Sequence, residues 1–201
     1  MYNFILVFFD DTLIYSKTWV EHLQHLDLVL QLFCDHHLRA KQCKCVFWQE
    51  EVEYLGHIVS AQGVLVDLTK IDSMKNWSHP QTLTSLHGFL GLTRYYCKFV
   101  KDYGKLAAPL TALLKKDAFT WTLAIECAFD KLKQAMCTTL VLAMPDFSKP
   151  FTIEGDACDN GLGVVLLQDE HPIVFTGKSL SSKNLVAFTY EKEMMVILHV
   201  V

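Results

Sequence analysis

Phe4-Ile5-Leu6-Val7-Phe8-Phe9-Asp10-Asp11-Thr12-Leu13-Ile14-Tyr15-Ser16 sets two apolar runs on either side of a pair of carboxylates. The runs, residues 4–9 and 12–15, are rich in β-branched and aromatic side chains and too short for helices, so the stretch reads as a tight β-hairpin. This reading puts Asp10 and Asp11 at the hairpin tip. Two adjacent carboxylates repel each other, and a fold tolerates them more easily when a cation lies between their oxygens and those of a third group. Magnesium is the natural candidate. Asp is also a favoured turn residue, so such a pair taken alone is ordinarily just a loop.

Downstream, Val20, Leu23, Leu26, Val29, Leu30 and Phe33 recur at three- and four-residue spacing, which predicts an amphipathic helix from Thr18 to about His37, packed on the hairpin. Short extended stretches are expected at residues 43–48, 52–55 and 57–60, with Gly56 and Gly63 as turn residues. Asp67 caps a short helix through Trp77 that Pro80 prevents from continuing. Thr82 caps the next helix, which presents Leu83, Leu86, Phe89, Leu90, Tyr96 and Phe99. A further helical stretch, punctuated by Gly104 and Pro109, ends near Lys116, and another runs from Thr122 to about Met136. Pro145 and Pro150 then flank residues 146–149 as a linker, after which the period changes from helical to extended. Strands are expected at 151–156, 161–168 and 172–178, followed by a helix from about Leu185 onward. The fold class is therefore α+β, in three regions: 1–65, 66–145 and 146–201.

At 201 residues and 51% hydrophobic, the chain can bury the cores of one or two domains. Its longest apolar runs, residues 4–9 and 194–198, fall short of the roughly 20 residues of a membrane span, and no secretory leader is legible. An intracellular, cytoplasmic and reducing setting is expected, with the seven cysteines as free thiols. The net charge of −4 argues against a free-standing nucleic-acid binder, but residues 91–116 hold six cations (Arg94, Lys98, Lys101, Lys105, Lys115, Lys116) against Asp102. That excess suits a phosphate backbone and, equally, a solvated helix face. His36-His37 and Cys43-x-Cys45 offer zinc-type residues without zinc-loop spacing, and Cys158 lacks an activating His motif. Tyr95 and Tyr96 could stack on bases, but aromatics at helical spacing are more often core.

Phe8-Phe9-Asp10-Asp11 followed by Ile14-Tyr15-Ser16 resembles the aromatic-x-Asp-Asp motif of reverse transcriptases, specifically those of gypsy-type long-terminal-repeat retrotransposons. Glu53-Tyr54-Leu55-Gly56-His57-Ile58-Val59-Ser60 is similar to that family's primer-grip hairpin, and Gly88-Phe89-Leu90-Gly91-Leu92-Thr93-Arg94-Tyr95-Tyr96 to its thumb and connection region. Residues 115–121 and 145–151 extend the match, and Glu154-Gly155-Asp156-Ala157-Cys158 resembles the first strand of the family's ribonuclease H domain. Tyr190-Glu191-Lys192-Glu193-Met194 is similar to the start of that domain's first helix. Position 155 is usually Thr in the pattern, so Gly155 is a departure.

The resemblance implies a fold: the C-terminal part of a reverse-transcriptase palm (1–65), thumb and connection helices (66–145), and a truncated ribonuclease H-like β-β-β-α unit (146–201). It implies RNA-directed DNA polymerase and hybrid ribonuclease activity in a parent polyprotein, with Asp10 and Asp11 as catalytic metal ligands of the first and Asp156 and Glu193 of the second. It assigns primer contact to Tyr54, Gly56 and His57, and the basic segment offers Arg94, Lys98 and Lys101 for duplex backbone contact. Mg2+ is the implied cofactor in two-metal sites. The implied partners are RNA template, DNA primer, RNA-DNA hybrid and deoxynucleoside triphosphates, with no membrane. The family's third palm carboxylate lies on an earlier strand, and only nine residues precede Asp10; its two further nuclease Asp lie after the helix carrying Glu193. The chain is thus expected to be an internal piece of the polyprotein, inactive by itself. The alternative is a domesticated or decayed remnant that acts only as a nucleic-acid or protein-binding module.

Overall fold

The computed structural model describes residues 4–115, 118–138, 141–158, 161–179, 191 and 194, with backbone only at 156–158, 161, 178 and 179. By contact the chain divides into two units, Met1–Ser60 and Ala61–Val201. Within the second unit the helices and the later strands share one core.

In the first unit, strands β1 (Ile5–Phe8) and β2 (Asp11–Ile14) pair antiparallel with Phe8 opposite Asp11. This register leaves a two-residue turn, Phe9-Asp10, with Phe9 at φ 51°. Only Asp10 therefore sits at the tip, and Asp11 opens β2, a correction to the expected placement of both. Helix α1 (Trp19–Asp35) starts on a capping box: the Thr18 hydroxyl accepts from the Glu21 N–H at 3.3 Å while the Glu21 carboxylate accepts from the Thr18 N–H at 3.2 Å. The helix buries Val29.

Residues 43–48, expected to be strand-like, form no strand. A 3-10 turn at Gln42–Lys44 is held by the Lys44 N–H on Lys41 O (2.8 Å) and the Cys45 N–H on Gln42 O (3.0 Å). Such local bonds curl the backbone before it can reach a partner strand. Trp48 then turns it again at φ 63°. Strands β3 (Glu51–Tyr54) and β4 (His57–Ser60) follow, joined by Leu55-Gly56 at φ 52° and 72°. Both positive values match a type I′ turn, the geometry whose twist suits a two-residue hairpin.

The second unit begins with β5 (Gly63–Val66), a strand where the sequence suggested only a turn at Gly63. Val64 and Leu142 bridge it across a long sequence gap, each N–H donating to the other's carbonyl at 2.8 and 3.0 Å. Gly63, at φ +136°, lies so close to Leu142 that a Cβ there would meet the Leu142 carbonyl oxygen at 2.2 Å. Helices α2 (Leu68–Lys75), α3 (Leu83–Tyr95) and α5 (Leu123–Cys137) begin where expected, after Asp67, Thr82 and Thr122, and α4 (Tyr103–Ala112) follows Asp102. Gly104 and Pro109 both lie inside α4, which ends at Ala112, short of the expected end near Lys116.

Strands β6 (Thr152–Cys158), β7 (Gly161–Gln168) and β8 (His171–Ser179) form an antiparallel sheet in the order β6-β7-β8. The β7–β8 turn, Asp169-Glu170, again has two positive φ values, 49° and 65°. One apolar cluster holds these elements together: Val66, Met74, Leu86, Phe89, Leu110, Phe129, Leu132 and Met136 from β5 and the helices, with Phe175 from β8. Removing such surface from water favours a single body over two. The expected linker is itself fastened. Buried Gln168 donates its amide to Asp146 O at 2.8 Å and accepts the Asp146 N–H at 2.8 Å. No helix among the described residues is long and apolar enough to cross a membrane. The expected helix after 185 lies outside the described residues except for Glu191 and Met194, both helical.

Candidate active site

Asp10 and Asp11 are both exposed, on a ribbon whose tip also carries Phe9, 89% exposed and edge-on to Phe8 at 4.9 Å. An exposed aromatic in the left-handed region is costly, at roughly 1–3 kcal/mol, and such backbone concentrates at functional sites. Tyr54, at the end of β3, has its phenol pushed above the ordinary tyrosine range, first by burial and then by the negative charge of Asp11. The fold thus brings one residue of the expected primer-grip hairpin within electrostatic reach of one expected metal carboxylate. Among the described residues, no three His, Cys, Asp or Glu side chains converge as a metal group would require.

Gly56 takes the second turn position between β3 and β4, where φ 72° suits a residue without Cβ. His57 begins β4 and is 8% exposed, so its ring is buried rather than presented at an open surface. In the second unit, Arg94 near the end of α3 and Lys101 beyond it are exposed. Lys98 is different: its ammonium lies 5.4 Å over the Phe99 ring, and burial lowers its pKa. Lys105 pairs with Asp102 at 2.9 Å, which removes one cation of the basic segment from an open field. Lys116 lies outside the described residues. Of the two tyrosines weighed for stacking, Tyr96 is buried in the core and Tyr95 is 53% exposed.

Asp156 stands in β6 opposite Gly163 of β7, one residue after Gly155, which faces Val164. The strand is one of the two outer strands of the β6-β7-β8 sheet. The Asp156 side chain, and Glu193 altogether, lie outside the described residues.

An aromatic and histidine cluster beside the hairpin escaped the sequence reading. Trp19 and Trp48 approach to 4.3 Å between ring centroids, with His22 at 6.4 and 5.8 Å from them. The legible signal was His22 and His25 at three-residue spacing on α1, soon after the β2 exit at Ser16.

A two-residue hairpin bearing paired carboxylates, a second hairpin, a helical core and an antiparallel sheet make this an α+β protein with a carboxylate-bearing turn. Residues 2–59 match the family model described as reverse transcriptase (RNA-dependent DNA polymerase), and residues 121–201 match the RNase H-like domain found in reverse transcriptase. The chain is 37% identical over 194 residues to the retrovirus-related Pol polyprotein of Drosophila melanogaster transposon 297, covering 96% of this chain and 18% of that one. It is 33% identical to the corresponding gypsy polyprotein of the same organism, covering 95% of this chain and 20% of that one. An uncharacterized mitochondrial protein of Arabidopsis thaliana is 47% identical over 131 residues, 64% of this chain and 83% of that protein. The chain belongs to the reverse transcriptase family, in the line of gypsy-type retrotransposon Pol polyproteins. It spans about a fifth of the length of the retrotransposon polyproteins it matches.

Among solved structures, a foamy viral protease-reverse transcriptase in complex with double-stranded DNA superposes with a TM-score of 0.89 at 21% identity, over 98% of this chain and 36% of that one. Another, in complex with RNA/DNA hybrid, gives 0.87 at the same identity, over 98% of this chain and 27% of that one. These likenesses establish the fold, and the α+β architecture expected from the sequence is the one observed.

Proposed function

We propose that these residues serve RNA-directed DNA polymerisation and RNA-DNA hybrid hydrolysis within a retrotransposon Pol polyprotein, the β1–β2 hairpin supplying polymerase carboxylates and β6 the first nuclease carboxylate. The observation that carries the reading is the Phe8-Phe9-Asp10-Asp11 hairpin, closed on a two-residue turn with both carboxylates exposed and Asp11 felt by Tyr54. Exposed carboxylates are hard oxygen donors of the kind Mg2+ takes, so Asp10 and Asp11 fit that ion as part of a larger ligand set. Bound there, the metal would lower the pKa of a primer hydroxyl and neutralise charge on a triphosphate. Asp156 and Glu193 are assigned the equivalent role at the nuclease.

Tyr54 and Gly56 border the primer in this reading, while buried His57 acts by holding the β3–β4 hairpin. Arg94, Lys98 and Lys101 face the duplex backbone, in keeping with relatives of this fold solved on double-stranded DNA and on RNA/DNA hybrid. Deoxynucleoside triphosphates are the further substrate, and the setting is intracellular. Residues 1–65, 66–145 and 146–201 are the palm, thumb-connection and nuclease-like portions in an evolutionary sense, although the last two share a core.

The test grafts the 201 residues over the matching segment of the transposon 297 polyprotein and measures primer extension and hybrid cleavage with Mg2+. Extension abolished by Asp10→Asn, and cleavage abolished by Asp156→Asn, are expected, while the 201-residue chain alone is expected to do neither. Extension that survives Asp10→Asn would refute the assignment.

A further inference from the structure

We infer that His25, together with Ser16, is the positioning residue that anchors the carboxylate hairpin to α1. This rests on the reading of Asp10 and Asp11 as metal ligands. The ribbon has four residues per strand and exposes Leu6, Val7 and Phe8 at 46%, 63% and 51%. A lone two-stranded ribbon is marginal in water. Its tip can hold carboxylates in one place only if its base is fixed.

One imidazole grips both ends of that base. Phe4, which leads into β1, stacks on the His25 ring at 3.8 Å with the planes 3° apart. Ser16, which follows β2, shares a hydrogen bond between its hydroxyl and His25 Nδ1 at 2.7 Å. The two grips lie beside the same rung, where the Tyr15 N–H donates to Phe4 O at 2.9 Å. His22, three residues earlier on the same helix face, brings its own Nδ1 to 3.3 Å from the Ser16 hydroxyl. A hydroxyl carries one proton, so Ser16 donates to one ring and accepts from the N–H of the other, which orders the two tautomers against each other. The Trp19 and Trp48 rings lie against His22, at 6.4 and 5.8 Å.

Two attachment points fix an angle where one would leave a hinge. Four strand residues at about 3.3 Å each give a lever of roughly 13 Å from base to tip. A rotation of about 5° at the base therefore moves the carboxylates by about 1 Å, a misplacement that can cost on the order of 100-fold in rate.

His25→Phe keeps the stack on Phe4 and removes the ring nitrogen; Ser16→Ala removes one oxygen; Ser16→Thr keeps the hydroxyl. In the 201-residue chain, amide hydrogen exchange of β1 and β2 should quicken about fivefold in each of the first two variants, and hardly further in their double mutant, because both break the same bond. In the transposon 297 graft, kcat for primer extension should fall about 10- to 100-fold in both, with KM for nucleotide unchanged within about twofold, and Ser16→Thr should restore it. Unchanged exchange in Ser16→Ala and His25→Phe overturns the anchor, and so does unchanged kcat in a graft that extends primers. A graft that extends no primer even unsubstituted counts against the polymerase reading, while the exchange measurement still decides the anchor.

Discussion

Replacing Gln168 with alanine should destabilise the Ala61–Val201 unit by about 2 kcal/mol. The buried carboxamide makes two short hydrogen bonds to Asp146, one from the Asp146 N–H and one to its carbonyl, each 2.8 Å. Two more amide contacts, to Lys149 O and Pro150 O, are 3.4 Å and weak. At roughly 1 kcal/mol net per good neutral hydrogen bond the short pair gives the figure above. With a urea dependence near 2 kcal/mol per M, the unfolding midpoint should drop by about 1 M. Gln168→Glu is the sharper probe. One carboxyl oxygen can still accept the Asp146 N–H, but the other would face carbonyl oxygens, so the fold favours the protonated acid and raises its pKa above the unfolded value. Stability of this variant should therefore be greatest in acid and fall as pH rises through the folded pKa. Equilibrium urea unfolding at about pH 5 and pH 8, followed by tryptophan fluorescence, checks both. A Gln168→Ala midpoint within about 0.2 M of the parent, or a Gln168→Glu variant more stable at the higher pH, would show that residues 146–150 form a loose linker after all.

Asp67 accepts from the Thr69 hydroxyl at 2.7 Å and the Thr69 N–H at 2.9 Å, which holds its carboxyl below the ordinary range. Its capping contribution is thus present above the unfolded carboxylate pKa and lost as pH falls through the folded one. Asp67→Ala should cost about 1 kcal/mol at neutral pH and less in acid, whereas Asp67→Asn should keep the cap and flatten the acid limb, as measured by thermal melts from pH 2 to 7 on the order of one pH step each. The glycines separate by surroundings: Gly63→Ala meets the Leu142 carbonyl at 2.2 Å from a φ of +136° and should cost more than about 3 kcal/mol or prevent folding. Gly91→Ala, with nothing within 4 Å of the added carbon, should stabilise α3 by about 0.5–1 kcal/mol in the same melts.

The amphipathic helices were legible because their signals are local. Capping at Thr18, Asp67, Thr82 and Thr122 is chemistry within three residues, and each cap appears where those residues stand. The extended reading of residues 43–48 did not hold, because alternation of apolar residues says nothing of whether a partner strand exists, and the i to i+3 bonds at Gln42–Lys44 form without one. That Asp10 and Asp11 lie at the end of a tight hairpin was legible, while their division between turn and strand was not, since register depends on how Phe8 faces Asp11.

From the sequence by itself came the family, most of the helices and strands, and the carboxylates proposed as metal ligands, because motif residues and periodicity are written in consecutive positions. Only the tertiary structure decided that the expected linker is a clasp, that β5 bridges to Leu142, and that the nuclease-like sheet shares its core with the preceding helices. It also decided that one histidine of α1 touches both ends of the β1–β2 hairpin. These are pairings between residues far apart in the chain, and their energy exists only once the backbone has brought them within hydrogen-bond and van der Waals reach.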